Sequence, residues 1–242
     1  MEPHTPVRPG VLVVTGTGTE VGKTVATAAL AAAALRGGRS VAVLKPAQTG
    51  VAEGEPGDVA EVRRLAGEEV TGAELARFPE PLAPATAARR AGMEPVRPAE
   101  VAEAAEKLAA SHDLVLVEGA GGLLVRYDAE GGTLADAARL LAAPVLTVAA
   151  AGLGTLNSTA LTAEALASRG LEHAGVLVGS LPPEPDLASR CNLAELHEAA
   201  GAPLLGVLPE GAGAMEPAAF RAAAPEWLAP ELGGTRGRPA PG

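Results

Sequence analysis

VLVVTGTGTEVGKT, running from Val11 to Thr24, joins an apolar run to a glycine-bearing loop and closes on Gly22-Lys23-Thr24. Val11 to Val14 are aliphatic without a polar break, the pattern of a strand buried on both faces of a parallel sheet. From Val21 to Arg36 alanine and leucine predominate, which predicts a helix. A strand, a glycine loop and a helix opening on Gly-Lys-Thr form a cradle for phosphate. Free backbone N–H groups point at the anion, and the helix N-terminus adds about half a positive charge. In that cradle Lys23 reaches the outer phosphates and the Thr24 hydroxyl ligates magnesium. The usual pattern wants glycine at Thr17; here the glycine is Gly16, so five residues precede Gly22 instead of four.

Lysine usage points the same way. The chain has 19 Lys and Arg, yet only Lys23, Lys45 and Lys107 are lysine. Lys107 lies in a run of Ala and Glu and reads as a solvated helix position. Lys23 and Lys45 stand beside Gly, Pro and Thr, where a compact ammonium enters a pocket that a planar guanidinium does not fit.

A chain of 242 residues is long enough to bury a core without disulfide or structural metal. The lone Cys191 forbids an internal disulfide, and with no leader visible the expected setting is the cytoplasm. Alanine-rich windows such as Ala26–Leu35 are too short to span a bilayer, so no membrane partner is expected. A net charge of −10 and 2% aromatic residues argue against nucleic acid, which wants basic patches and stacking platforms. His4, His112, His173 and His197 are too scattered for a zinc site.

Outward from the loop, strands are predicted at 11–15, 41–44, 114–117, 145–149, 176–178 and 204–208. Helices are predicted at 58–66, 85–91, 98–111, 156–169 and 186–200, with a long loop from Pro46 to Gly57. Alternation of this kind predicts an α/β fold, a P-loop NTPase-like three-layer domain over 11–232, mostly parallel with helices on both faces. Residues 1–10 and 233–242 are expected to be flexible tails. Ligands of such sheets bind beyond the carboxyl ends of the strands, where the chemistry-bearing residues fall. Lys45 opens KPAQTG after the second strand. Asp58 follows Gly57 and reads either as a helix N-cap or as a ligand. Glu118 closes a strand before Gly119, Ala120, Gly121 and Gly122, the place where P-loop enzymes hold magnesium. Thr24, Asp58 and Glu118 make a sensible oxygen set for that ion.

GTGTEVGKT, KPAQTG, the Gly57-Asp58 pair, VEGAGG and LGTLN, in this order and spacing, closely resemble the dethiobiotin synthetase family over about Val11 to Gly211. That family's loop also carries five residues between its glycine and Gly-Lys-Thr. The resemblance implies magnesium-dependent carboxylation of 7,8-diaminononanoate with CO2 at the expense of ATP, followed by ring closure through a carbamate and a mixed carbamic–phosphoric anhydride. It makes Lys45, with Lys23, catalytic. Glu20, Val21, Gly22, Lys23, Thr24 and Val25 would hold the phosphates, with Asp58, Glu118, Gly119, Ala120 and Gly121 beside them. Thr19, Glu20, Lys45 and Thr49 would meet the diamine or carbamate. It also implies a homodimer in which Gly154, Thr155, Leu156 and Asn157 of one subunit receive the substrate carboxylate of the other; on residues alone Asn157 reads as a cap.

One departure stands out. Where many members have an asparagine that reads adenine, this chain has Gly179, followed by Ser180; Pro209, Glu210 and Gly211 match a nearby base-contacting turn. Selectivity for ATP over other nucleoside triphosphates is thereby placed in doubt. Partition and septum-placement ATPases carry an extra lysine where this chain has Gly18. The nitrogenase iron protein needs more cysteines, and amidating relatives append a glutaminase domain for which there is no room. A nucleotide-driven switch without a diamine substrate remains the alternative.

Overall fold

The computed structural model describes residues 10–237. Seven strands form one parallel sheet: β1 (Gly10–Gly16), β2 (Val41–Thr49), β3 (Thr71–Phe78), β4 (Leu114–Gly122), β5 (Val145–Ala149), β6 (His173–Leu181) and β7 (Leu204–Pro209). Their order is β3-β2-β4-β1-β5-β6-β7, with every pairing parallel. The chain steps outward to one edge, returns through β4 to flank β1, then builds the other edge. β1 is therefore central, and the loop that follows it opens at the carboxyl edge where the order switches.

One face carries α1 (Lys23–Arg36), α2 (Asp58–Ala66) and α8 (Pro217–Trp227). The other carries α3 (Pro84–Ala91), α4 (Pro98–Ala109), α5 (Leu134–Leu141), α6 (Thr155–Ala167) and α7 (Leu187–Ala200). α1 is almost wholly buried from Ala26 to Ala34. Alanine is the strongest helix former and its small side chain lets the helix sit close on the sheet, so a helix apolar all round fits this position.

Several elements differ from the sequence reading. β2 runs five residues past Leu44, through Lys45 to Thr49, pairing only with β3 there. Its pairing with β4 ends at Leu44–Val117, so Pro46, which has no N–H to give, interrupts no ladder on that side. β3 was not expected: its Gly72, Ala73, Glu74 and Arg77 have low strand propensity, and it is tolerated as a half-exposed edge. α5 and α8 were also unexpected. Thr133 and Asp136 form a capping box for α5, while Pro217 opens α8 and Pro225 sits in its last turn.

Some residues of both expected tails are hydrogen-bonded into the fold. Gly10 already belongs to β1, its N–H donating to the Asp113 carbonyl at 3.1 Å. At the other end Gly234, Thr235 and Arg236 donate to the carbonyls of Ala229, Pro225 and Leu228 at 3.1, 2.7 and 2.9 Å. Residues 1–9 and 238–242 lie outside the described part. Among the described residues no helix is long and apolar enough to cross a membrane.

Candidate active site

The loop between β1 and α1 turns on Gly22, which caps α1 at φ 92° with no side-chain acceptor on the first N–H groups. Those donors stay free for an anion. A side chain could not replace the glycine: a Cβ would stand 2.6 Å from the Gly179 carbonyl oxygen. Glu20 adopts φ 60°, a conformation that only the surrounding loop can hold in a non-glycine residue. Lys23 is buried, and its Nζ donates to the Gly18 carbonyl at 2.9 Å. Burial and then the neighbouring Lys45 charge lower its pKa, partly offset by Glu118 and Asp58.

Lys45 is the centre of the cluster. It is 4% exposed, and its ammonium reaches Asp58 Oδ2 at 2.5 Å, Glu118 Oε1 at 2.8 Å and the Gly119 carbonyl at 3.1 Å. Three N–H donors meet three acceptors. Burial by itself lowers the lysine pKa; Glu118 and Asp58 outweigh it and raise the pKa above the ordinary value. The ammonium is thus charged and fixed, not a solvated strand end.

Asp58 is not a cap. Gly57 occupies the N-cap of α2, and the Asp58 N–H is held by Gln48 Oε1 at 2.8 Å, which leaves the carboxylate to Lys45. The Thr24 hydroxyl donates to Glu118 Oε1 at 3.0 Å, while Glu118 Oε2 is buried without a partner. An orphaned carboxylate oxygen is costly. Beside a hydroxyl and a second carboxylate it suits a hard cation that takes oxygen ligands and completes its shell from phosphate and water. Among the described residues no three of His, Cys, Asp and Glu cluster into a metal centre. Two carboxylates and one hydroxyl are an oxygen set of the kind that fits magnesium.

A cavity of about 720 Å³ gathers most of the residues singled out in the sequence. Thr19, Glu20 and Gly22 line it from the first loop, Lys23, Thr24 and Val25 from the start of α1, Lys45 and Thr49 from β2, Asp58 from the start of α2, and Glu118, Ala120 and Gly121 from β4. Val21, in the first loop, and Gly119, in β4, do not line it. Gly154–Asn157, Gly179, Ser180 and Pro209–Gly211 do not line it. Gly154 caps α6 at φ 92° without a side-chain bond, and Asn157 is exposed in the first turn, so it is not the cap. Gly179 presses on the first loop, and a Cβ there would lie 2.0 Å from the Val21 carbonyl oxygen. Ser180 is exposed, and the Glu210 N–H is tied to the Leu181 carbonyl at 2.8 Å.

Sequence reasoning missed two groups that shape the cavity. Gln48 was visible only as one letter of KPAQTG. Pro81, Leu82, Ala83, Pro84 and Val125 form an apolar wall, which no motif in the sequence marks.

The family model described as "AAA domain" matches residues 11–218. The ATP-dependent dethiobiotin synthetase BioD of Streptomyces coelicolor is 72% identical over 225 residues, 93% of this chain and 94% of that protein. The protein of the same name from Saccharopolyspora erythraea is 73% identical over 224 residues, 93% of this chain and 97% of that one. That from Mycobacteroides abscessus is 52% identical, covering 90% and 97%. Among solved structures the MinD cell division protein of Aquifex aeolicus superposes with TM-score 0.59 at 14% identity, covering 96% of this chain and all of that one. The signal recognition particle 54 kDa protein of Aeropyrum pernix, solved with GDP, gives 0.56 at 16% identity, over 92% of this chain and 47% of its own. At such identities these structures establish the P-loop NTPase fold alone.

Proposed function

Because the chain belongs to the family of ATP-dependent dethiobiotin synthetases, we propose that it closes the ureido ring of dethiobiotin from 7,8-diaminononanoate, CO2 and ATP. The chain is a ligase of biotin biosynthesis by this kinship. The observation that carries the detailed reading is the buried Lys45, charged and held between Glu118, Asp58 and the Gly119 carbonyl beside a phosphate loop.

In this reading one amine takes up CO2 and loses a proton to give a carbamate. A carbamate oxygen attacks the γ-phosphorus and ADP leaves, forming the mixed carbamic–phosphoric anhydride. The second amine attacks the carbamoyl carbon, phosphate departs, and the amine's proton is released as the ring closes. A carbamate anion must therefore approach a triphosphate. Lys23, the free amides of α1 and Lys45 supply positive charge that is already in place and needs no reorganisation. Thr24, Asp58 and Glu118 would hold magnesium, which neutralises phosphate charge when bound. Thr19, Glu20 and Thr49 would orient the diamine or carbamate. The apolar wall from Pro81 to Pro84 with Val125 suits a methylene chain.

The far end of the substrate calls for a second copy of the chain. Leu153 is 92% exposed immediately before α6, and Leu161 on that helix is 58% exposed. Apolar surface of this kind around Gly154–Asn157 supports a homodimer whose partner supplies that helix start to the substrate carboxylate. A lone cysteine, which leaves no internal disulfide, and kinship with biosynthetic enzymes support a cytoplasmic setting. Phosphate release with and without diaminononanoate and bicarbonate, with dethiobiotin followed by mass spectrometry, tests the reading. Product formation and diamine-stimulated turnover are expected; equal turnover without the diamine would promote the nucleotide switch instead.

A further inference from the structure

Tyr127 is the chain's single tyrosine, and its ring is 2% exposed in the core beneath the α3–α5 face. It opens a hairpin closed by the Arg126–Thr133 bridge, its own N–H donating to the Gly132 carbonyl at 2.8 Å. The hydroxyl turns toward the site, where it accepts the Ala120 N–H at 3.1 Å. That N–H belongs to the peptide unit joining Gly119 to Ala120. The carbonyl of the same unit accepts from Lys45 Nζ at 3.1 Å. One peptide plane is therefore gripped at both ends, by the tyrosine on one side and the lysine on the other.

A peptide unit is planar, so fixing the direction of its N–H fixes the direction of its carbonyl. A bond at the N–H also polarises the unit and strengthens the acceptor at the far end. Gly119 and Gly121 flank the segment, and glycine does little to hold a backbone in one orientation. Ala120 and Gly121 border the cavity, so a released N–H could turn toward water and carry the carbonyl away from Lys45.

We propose that Tyr127 is a positioning residue for Lys45, acting through the Gly119–Ala120 peptide. The proposal rests on the reading of Lys45 given above. Burial pushes the phenol pKa up, so the hydroxyl stays neutral over the working range. Phenylalanine would fill the same packing space and lack only the oxygen.

Tyr127→Phe is therefore expected to lower kcat roughly tenfold, the scale of effect that groups orienting an active-site ligand carry. KM for nucleotide and diamine should stay within about twofold, because neither binds the tyrosine. In a Lys45→Gln background the same change should cause no further fall, since two residues acting through one contact are not additive. An unchanged kcat in Tyr127→Phe would overturn the proposal, and so would a full tenfold loss persisting without the lysine. Exchange of the Ala120 amide with solvent, followed by NMR, needs no turnover. It should accelerate in Tyr127→Phe, and unchanged exchange would also overturn the clamp. Dethiobiotin formation by the wild-type protein in the same assay tests the functional reading separately.

Discussion

The two halves of the carboxyl edge are built from different material. On the β2–β4 side of β1 the site consists of side chains: Lys45, Glu118, Asp58, Thr24 and Gln48 reach one another at 2.5 to 3.0 Å, with Lys45 and Glu118 almost fully buried. On the β5–β6–β7 side, outside that cavity, the edge offers backbone turns and glycine. Gly154 and Gly211 turn there with positive φ, Gly179 has no space for a Cβ, and Leu153 stands in solvent. The first half is preorganised, as stabilising developing charge requires. The second holds no comparable cluster of buried charged side chains among the described residues.

The contrast is tested most severely at Lys45. Lys45→Gln should reduce turnover by about 10²–10³, the loss found when one donor to a developing charge is removed. It should also lower stability by about 3–5 kcal/mol, because Glu118 is left as a buried, uncompensated charge. Lys45→Gln/Glu118→Gln should recover melting temperature but not turnover. A single variant that keeps wild-type turnover would show that the preorganised half is structural only.

The carboxylates sharpen the same half. Asp58→Asn and Glu118→Gln should each raise the magnesium needed for half-maximal turnover by roughly 10–100-fold, since a neutral amide binds a hard cation poorly. A magnesium titration is the measurement. Unchanged titration for Asp58→Asn would leave that carboxylate as a partner of Lys45 alone.

How legible this was in the sequence divides along the same line. Lys23 was readable because its partner Gly18 lies in the same loop; Thr24 was readable from its place after Gly-Lys, although its hydroxyl reaches Glu118, 94 residues away. Lys45 and Glu118 were readable as ends of apolar runs, but their contact spans 73 residues and no local pattern encodes it. Asp58 was ambiguous because an N-cap and a metal ligand call for the same residue type; Gly57 at the cap removes the first reading, and the ion pair with Lys45 belongs to neither. Tyr127 was not visible at all, since its hydroxyl acts on a backbone group and leaves no motif. β3 was missed because an edge strand of Gly, Ala, Glu and Arg obeys pairing rather than propensity. The central sheet was legible because buried parallel strands are continuous apolar runs.

The second half predicts its own dependence on a partner. Leu153→Asp should weaken self-association at least about tenfold, because a leucine buried at an interface contributes about 1.5–3 kcal/mol and a two-fold interface counts it twice. Sedimentation velocity reads the oligomeric state. If turnover at saturating diamine survives in a monomeric variant, the partner supplies no part of the substrate site.

The smallest expected effect concerns the base of the nucleotide, and it follows most directly from what the second half lacks. A site that hydrogen-bonds a base edge rejects analogues without that edge, because its own polar groups are left unpaired. At Gly179 there is no side chain to play that part, and none can be added, since a Cβ would collide with the Val21 carbonyl of the phosphate loop. The phosphate grip proposed for Lys23 and the α1 amides would be blind to the base. CTP or GTP should therefore support dethiobiotin formation within about tenfold of ATP, a difference of roughly 1.4 kcal/mol, measured with each triphosphate at matched free magnesium. Strict exclusivity for ATP would mean that the exposed Ser180 or the Pro209–Gly211 turn reads adenine after all. Ser180→Ala then separates these two: relaxed selectivity assigns the reading to the serine, and retained selectivity assigns it to the backbone of the turn.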